Sequence, residues 1–526
     1  MADSYEKLLV NGRIYTMDAQ RSWKEAVIIR DDRIWKIGTT AEIRALASPD
    51  AQLIDLGGRF AMPGFIDAHV HFIDGGASLL QTRLKDCRDQ ADLANRLAEY
   101  VKRTEPGEWI TGGGWDHEIW PDKKPPAAAL LDKAAPRNPV FLTRHDMHMG
   151  VVNTRALRAA GITRETKSPE GGEIGRDAAG DPDGTLRDNA MDLVYAVIPR
   201  RSLAQVRDAA GAAQAEAARC GVTTVMDMGT APTDLSVYTE LHNKSELRVR
   251  MLACPPIAAL DSLTVLGIAQ GLGGNMLRIQ GLKILTDGSM GSGTALFFEP
   301  YNDRPQTSGL SLYAPGELES LIGRADEAGF QLHIHAIGDR AIWMTLDDLS
   351  RLPPRDRRVK IEHVQVVRRQ DFGLFKKTGA IASVEPSHIL DDMHWCEKRV
   401  GERCKDSYAY GSLHRAGIPM AFGTDWPVEP LNPWLGIYAA VTRQDLEGKP
   451  DRGWFPEERM PLADALYYYT MGSAFAGFLE RDLGSIEPGK LADIVVTNEN
   501  PFEIQHASLK GVTTWMTLLG GEIVWK

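Results

Sequence analysis

Five short apolar runs in this chain of 526 residues each carry, at or near their ends, side chains that can bind a metal ion. In chain order these are His69 and His71 in Phe65-Ile66-Asp67-Ala68-His69-Val70-His71-Phe72, and Lys283 in Gln280-Gly281-Leu282-Lys283-Ile284. His335 follows in Leu332-His333-Ile334-His335-Ala336, His363 in Ile361-Glu362-His363-Val364, and Asp425 in Phe422-Gly423-Thr424-Asp425-Trp426-Pro427. Residues i and i+2 of a strand share a face, so His69 and His71 project together and can chelate one cation. Taken singly, each signal has a bland reading: a strand histidine is usually a packed core residue, and an aspartate after a strand is usually a helix cap. The ordered set of HxH, Lys, His, His and Asp is the ligand inventory of a one- or two-metal hydrolase. His333 shares a face with His335 and is a candidate alternate ligand, or a hydrogen-bond donor behind the ligands. Lys283 is the odd member, because a cation repels a metal. Burial lowers a lysine pKa, and the neutral amine can take up CO2 as a carbamate whose two oxygens bridge two cations. The competing reading pairs Lys283 with Asp287 or Asp425. Such a set, holding one or two ions of Zn2+ or another divalent metal, would bring the pKa of water towards ~7. Asp425 would pass a proton from water to a leaving nitrogen, a shuttle worth on the order of 10²–10⁴-fold. Outer partners for the histidines are expected, but the sequence does not assign them.

These residues need elements to position them. Strand-like runs lie at 65–72, 222–228, 248–254, 277–285, 330–335, 359–363, 380–384 and 418–423, with helical stretches such as 203–220, 315–328 and 369–378 between them. This alternation predicts an α/β fold with a parallel sheet, and eight strands predict a closed (β/α)8 barrel with its site at the strands' C-terminal ends. About 150 residues separate the first two runs, too many for one crossover. An inserted subdomain is therefore expected at roughly 75–200, over the end of the first strand. Both chain ends read as short strands. Asn11-Gly12 between apolar alternations predicts a hairpin, and Asp31-Asp32 repeats the pattern. The expected organisation is a small composite β-sandwich from 1–61 and 486–526 around a barrel domain of 62–485.

Bulk composition is that of an ordinary globular protein, with 43% apolar and 25% charged residues. A formal net charge of −11 argues against nucleic acid or an anionic membrane as partner. Cys87, Cys220, Cys254, Cys396 and Cys404 are odd in number and lack CxxC spacing, so they read as reduced thiols. With a charged start and no long apolar run, the expected compartment is the cytoplasm.

The same residues, with their surroundings, resemble the amidohydrolase superfamily, and within it the amidohydrolase-3 (YtcJ-like) branch that includes N-substituted formamide deformylases. The resemblance covers nearly the whole chain. It rests on the stretch from Gly58 to His71, on Asp146-Met147-His148 with Asn153-Thr154-Arg155, and on Asp183-Gly184-Thr185-Leu186. It continues through Lys283-Ile284-Leu285-Thr286-Asp287-Gly288-Ser289, His335-Ala336-Ile337-Gly338-Asp339-Arg340, Gly423 to Pro430 and Gly484 to Asp493. It implies a distorted TIM barrel with a composite β-sandwich. It also implies metal at His69, His71, Asp425, His335 and His363, with Lys283 as bridging carbamate. His148, Trp115 and Asp287 are implied substrate contacts. Relatives usually carry Asp-Gly-His where this chain has Asp146-Met147-His148, and Gln where it has Glu385. That extra carboxylate is expected either to favour a cationic substrate or to be a solvated rim charge. The resemblance allows a homo-oligomer, and no interface is legible.

The leading expectation is a metal-dependent amidohydrolase of EC 3.5 class acting on a small N-acyl or N-formyl compound. The same metal site would serve hydrolysis of a lactone, carbamate or cyclic amide, or deamination. A non-catalytic scaffold that kept the fold would have lost ligands, and here every ligand position is filled.

Overall fold

The computed structural model describes residues 6–84, 86–144, 149–169 and 171–526, and counts below refer to these. The chain forms two compact units, Met1–Gly75 with Ala213–Lys526, and Gly76–Ala212.

Nine parallel strands of the first unit lie in two sheets. One sheet holds β1 (Phe65–Val70), β2 (Val222–Met228) and β3 (Arg250–Cys254), edged by the short strand Leu277–Ile279. The other runs through β4 (Gly281–Leu285), β5 (Gln331–Ala336), β6 (Lys360–His363), β7 (Ile381–Val384) and β8 (Met420–Phe422) in that order. All residues of β1, β2, β3, β6, β7 and β8 are buried. Strands covered on both faces read as unbroken apolar runs, which is why the sequence locates them.

The run expected as one strand at 277–285 is instead broken at Gln280. Its backbone N–H donates to Ala253 O at 2.8 Å, while its side chain donates to Gln331 Oε1 at 2.7 Å. One residue thus bonds to both sheets. A bridge from Pro256 to Lys283 continues this seam, and a bridge from Val70 to Trp426 makes the second seam. Between the strands lie Leu203–Cys220, Glu317–Glu327 and Phe372–Thr378. The last follows a short 3-10 turn at Arg369–Asp371 and ends on Gly379 at φ 67°, the left-handed stop that glycine supplies at least cost.

The chain ends contribute two more sheets around one core. Phe60–Pro63 pairs antiparallel with Ile494–Thr497, so one sheet takes strands from both termini. Leu9, Val27 and Ile29 meet Val496, Met516 and Leu518 in the shared core. The Asn11-Gly12 hairpin does not form. Glu6–Val10 pairs with Ala26–Arg30 and Gln52–Asp55, whereas Arg13–Tyr15 pairs with Trp23–Lys24 and Phe60–Pro63 in the other sheet. Leu9 and Ile14 both enter the shared core, so the turn carries the chain from one sheet to the other. Gly12 permits this because a Cβ there would lie 2.5 Å from Leu56 Cδ1. The Asp31-Asp32 turn does close a hairpin, with Arg30 opposite Arg33.

The second unit has a six-stranded sheet from Thr82–Arg83 to Pro182–Asp188, with a core that includes Leu93, Leu97, Trp115 and Trp120. Among the described residues, no helix is long and apolar enough to cross a membrane.

Candidate metal centre and active site

The strand ends bring His69, His71, Lys283, His335, His363 and Asp425 into one cluster. Asp425 Oδ1 lies 3.5 Å from His69 Nε2 and 3.3 Å from His71 Nε2. Lys283 Nζ is 3.2 Å from His69 Nε2. The His363 ring stands 4.7 Å from that of His69 and 4.6 Å from that of His335. His335 Nε2 sits 3.1 Å from Gly288 O.

Two local backbone features make the cluster. Alternation along β6 would send Glu362 and His363 to opposite faces. His363 adopts φ 74° and Val364 φ 45°, and both Glu362 and His363 reach the His69 ring. Asp425 has φ 56°, in a turn held by its own N–H donating to His69 O at 2.8 Å. Left-handed backbone at a non-glycine residue costs on the order of 1–3 kcal/mol, and such strain gathers at functional sites. Asp67 secures this turn, with Oδ1 accepting from the N–H groups of His69 and Thr424 and Oδ2 from the Thr424 hydroxyl at 2.6 Å.

Carboxylates hold the outer nitrogens. His69 Nδ1 is 2.9 Å from Glu362 Oε2, and His363 Nδ1 is 2.9 Å from Glu385 Oε2. Each Nδ1–H therefore has an acceptor, which turns each Nε2 lone pair towards the cluster, that of His69 facing Lys283 Nζ. Glu362 also lies 3.1 Å from Lys360 Nζ and 3.4 Å from His333 Nδ1. Burial would raise the Glu362 carboxyl, but Lys360 and His69 outweigh it and hold it well below the ordinary range. Glu385 has no such cation in contact. Burial, and then the charges of Asp425 and Glu362, push it well up. Burial opposes ionisation of Asp425 too, yet the surrounding imidazoles of His69, His71 and His363 keep its carboxyl low. Burial also lowers Lys283, against the pull of Glu362 and Asp425. His69 falls to about 3 through burial and the Lys283 charge.

Beside the cluster is a cavity of about 720 Å³, a volume usual for small-molecule sites. His71, Lys283, His335, His363 and Asp425 reach its wall, with Ile73, Met290 and Trp395 supplying apolar surface. His388 and Asp392 also line it.

Three expected substrate contacts are buried, and Asp287 and Glu385 lie against the ligands His335, at 3.4 Å, and His363, at 2.9 Å. Trp115 is fully buried in the core of the second unit, with its indole N–H donating to Leu142 O at 3.1 Å. Asp287 is buried and accepts from the N–H groups of Leu296, Ile337 and Gly338, so it ties together the loops after β4 and β5. Glu385 is 1% exposed and bonded to His363, so it is no solvated rim charge. His148 lies outside the described residues. His333 is buried behind the ligands, 3.5 Å from Cys254 Sγ. Sequence reasoning missed Glu362, Lys360, Asp67 and His388.

The donor set fits a divalent cation. The ligand atoms of His69, His71 and Asp425 lie within 4.8 Å of one another, as do those of His69, His363 and Glu385. Among the described residues, Asp425 Oδ1 and Glu385 Oε1 are buried without a hydrogen-bond partner. Imidazole nitrogens and carboxylate oxygens without thiolate suit Zn2+ or a similar ion.

Known proteins place this geometry in context. "Protein LONG AFTER FAR-RED 3" of Arabidopsis thaliana is 36% identical, covering 98% of this chain and 91% of its own length. "Putative amidohydrolase YtcJ" of Bacillus subtilis is 31% identical over 98% of each chain. "N-substituted formamide deformylase" of Arthrobacter pascens is 25% identical, over 99% of this chain and 98% of its own. Among solved structures, an uncharacterized metal-dependent hydrolase from Pyrococcus furiosus superposes with a TM-score of 0.81 at 29% identity, covering 95% of this chain and 100% of that one. A family model described as "Amidohydrolase family" matches residues 52–525, and with nearly the whole chain matched, the protein belongs to the amidohydrolase family.

Proposed function

We propose that this protein is a metal-dependent hydrolase that cleaves the C–N bond of a small N-acyl or N-formyl amine. The observation that carries the reading is the convergence of His69, His71 and Asp425, with oxygen-to-nitrogen distances of 3.3–3.5 Å, on the wall of a small-molecule cavity. The choice of bond is supported by the name of the Arthrobacter pascens relative. His69, His71, Asp425, His335 and His363 would hold Zn2+, one or two ions, with Lys283 as bridging carbamate. The ion would supply Lewis acidity and a more acidic water. Asp425, kept ionised by its histidine neighbours, takes the proton from the attacking water and returns it to the leaving nitrogen. Glu362 and Glu385 keep the rings of His69 and His363 turned towards the site.

We further propose that the two seamed sheets close as one distorted (β/α)8 barrel within 62–485, with the insertion at roughly 75–200. The sheets of 1–61 and 486–526 would form the sandwich. The five cysteines are buried and unpaired, in keeping with a reducing, cytoplasmic setting.

Elemental analysis of the purified protein, beside amine release from a panel of N-formyl and N-acetyl amines, tests the function. One or two equivalents of zinc with amine release is the expected result. Bound metal without release would move the reading to lactones, carbamates or deamination. A chain that takes up no metal even when grown with zinc would refute it.

A further inference from the structure

His388 belongs to neither ligand group, yet its ring is part of the cavity wall. It is 6% exposed, and its Nε2 has no hydrogen-bond partner among the described residues. That nitrogen lies 3.8 Å from Asp425 Oδ2, too far for a hydrogen bond. Its other nitrogen is occupied: Gln365 Nε2 is 3.2 Å from His388 Nδ1. With the carboxamide turned this way its nitrogen donates, Nδ1 accepts and the proton of the neutral ring sits on Nε2. The ring thus presents an N–H to the cavity. It also lies nearly parallel to His363, at 13° and 6.3 Å, so its plane is set.

We propose that His388 Nε2–H is the donor to the carbonyl oxygen of the scissile group, and that Gln365 is the positioning residue that fixes its tautomer. This rests on the hydrolase reading above. With Nε2 protonated and Nδ1 holding a donor, the ring is no base for the attacking water. Giving up its proton would leave an imidazolate, so it is no acid for the leaving nitrogen either. What remains is a fixed hydrogen bond that strengthens as negative charge builds on the carbonyl oxygen. Both side chains line the cavity, so a carbonyl oxygen that accepts from Nε2–H on the cavity side keeps its carbon beside Asp425 and the water that Asp425 activates.

The test uses N-butylformamide as probe, with metal content measured for every variant. Removing a donor of this kind costs on the order of 10²–10³ in kcat. His388→Ala is expected to lose that much with metal content kept and KM little changed. His388→Gln, which restores a donor, recovers part of it. Gln365→Glu leaves His388 in place but accepts from Nδ1–H, strips the proton from Nε2 and is expected to lose kcat as His388→Ala does. Nitrogen-15 NMR of histidine-labelled protein is expected to show His388 protonated at Nε2 in the wild type and at Nδ1 in Gln365→Glu. Unchanged kcat in His388→Ala, or a wild-type ring protonated at Nδ1, overturns the proposal. If the wild type releases no butylamine, kcat cannot be read on this probe, and the panel of N-formyl and N-acetyl amines decides the C–N reading separately. Formate then decides the His388 assignment: its carboxylate oxygen should shift the His388 Nε2 signal, and no shift overturns it.

Discussion

Glu362→Gln removes one charge and leaves the side-chain volume almost unchanged. The carboxylate lies 3.1 Å from Lys360 Nζ, and both groups are fully buried. At an effective dielectric of about 20, unit charges 3.1 Å apart attract by about 5 kcal/mol. Removing one partner of a buried pair typically costs about 3–5 kcal/mol, because the other charge is stranded. Lys360 keeps its bond to Ala68 O, so a loss near the lower end, about 3 kcal/mol, is expected. The same carboxylate accepts from His69 Nδ1, so the variant should also bind metal about 10–100-fold more weakly. Glu385→Gln is the control. Glu385 touches no ammonium, its carboxyl is already pushed towards the neutral form, and glutamine can still accept from His363 Nδ1. Its stability cost should be about 1 kcal/mol or less. Urea unfolding of metal-free protein reads the first effect, and chelator competition reads the second. Equal destabilisation by the two substitutions, or an unchanged midpoint for Glu362→Gln, would refute the assignment of the buried charge to the Lys360–Glu362 pair.

Asp425→Asn is expected to keep its metal and lose on the order of 10²–10⁴ in turnover; near-normal rates would remove its shuttle role. Lys283→Ala should lose metal or activity and regain part of it with added short carboxylates, and unchanged metal content would dismiss the bridge. Burial pushes the Asp392 carboxyl up to about 7, with the Tyr408 hydroxyl opposing. The unfolded carboxyl, near 3.9, releases its proton first. The folded state is therefore favoured below about pH 4, and that advantage is lost as pH rises to about 7. Asp392→Asn should stabilise the protein by about 2–4 kcal/mol above pH 7 and by nothing at pH 4. Urea midpoints at the two pH values check this, and a gain independent of pH would contradict it.

The parallel strands were legible because burial on both faces leaves no polar alternation to confuse them. Runs such as 222–228 and 380–384 matched observed strands to within a residue. Pairing was less legible. Asn11-Gly12 has the local chemistry of a hairpin, but Leu9 and Ile14 both gain more by entering the core between two sheets. Gln280 looks like one polar residue in a strand, and only its partners Ala253 and Gln331 show that the strand changes sheet there. Both outcomes depend on residues far away in sequence.

The cluster followed the same division. Its members sit at strand ends and carry chemistry that the core does not need, so residue type and position together picked them out. Glu362 was hidden by the very rule that found His69 and His71: in an alternating strand the neighbour of an inward histidine faces away. The left-handed backbone at His363 suspends that rule for one residue, and nothing in Ile361-Glu362-His363-Val364 announces it. Trp115 was expected as a substrate contact from the resemblance, and its side chain is buried in the core of the second unit. His388 could have been found. It follows the strand ending at Val384 by four residues, at the same end of the parallel strands as the other histidines. A buried imidazole there, with one nitrogen tied to Gln365 and the other facing the cavity, is better explained by a ligand than by packing.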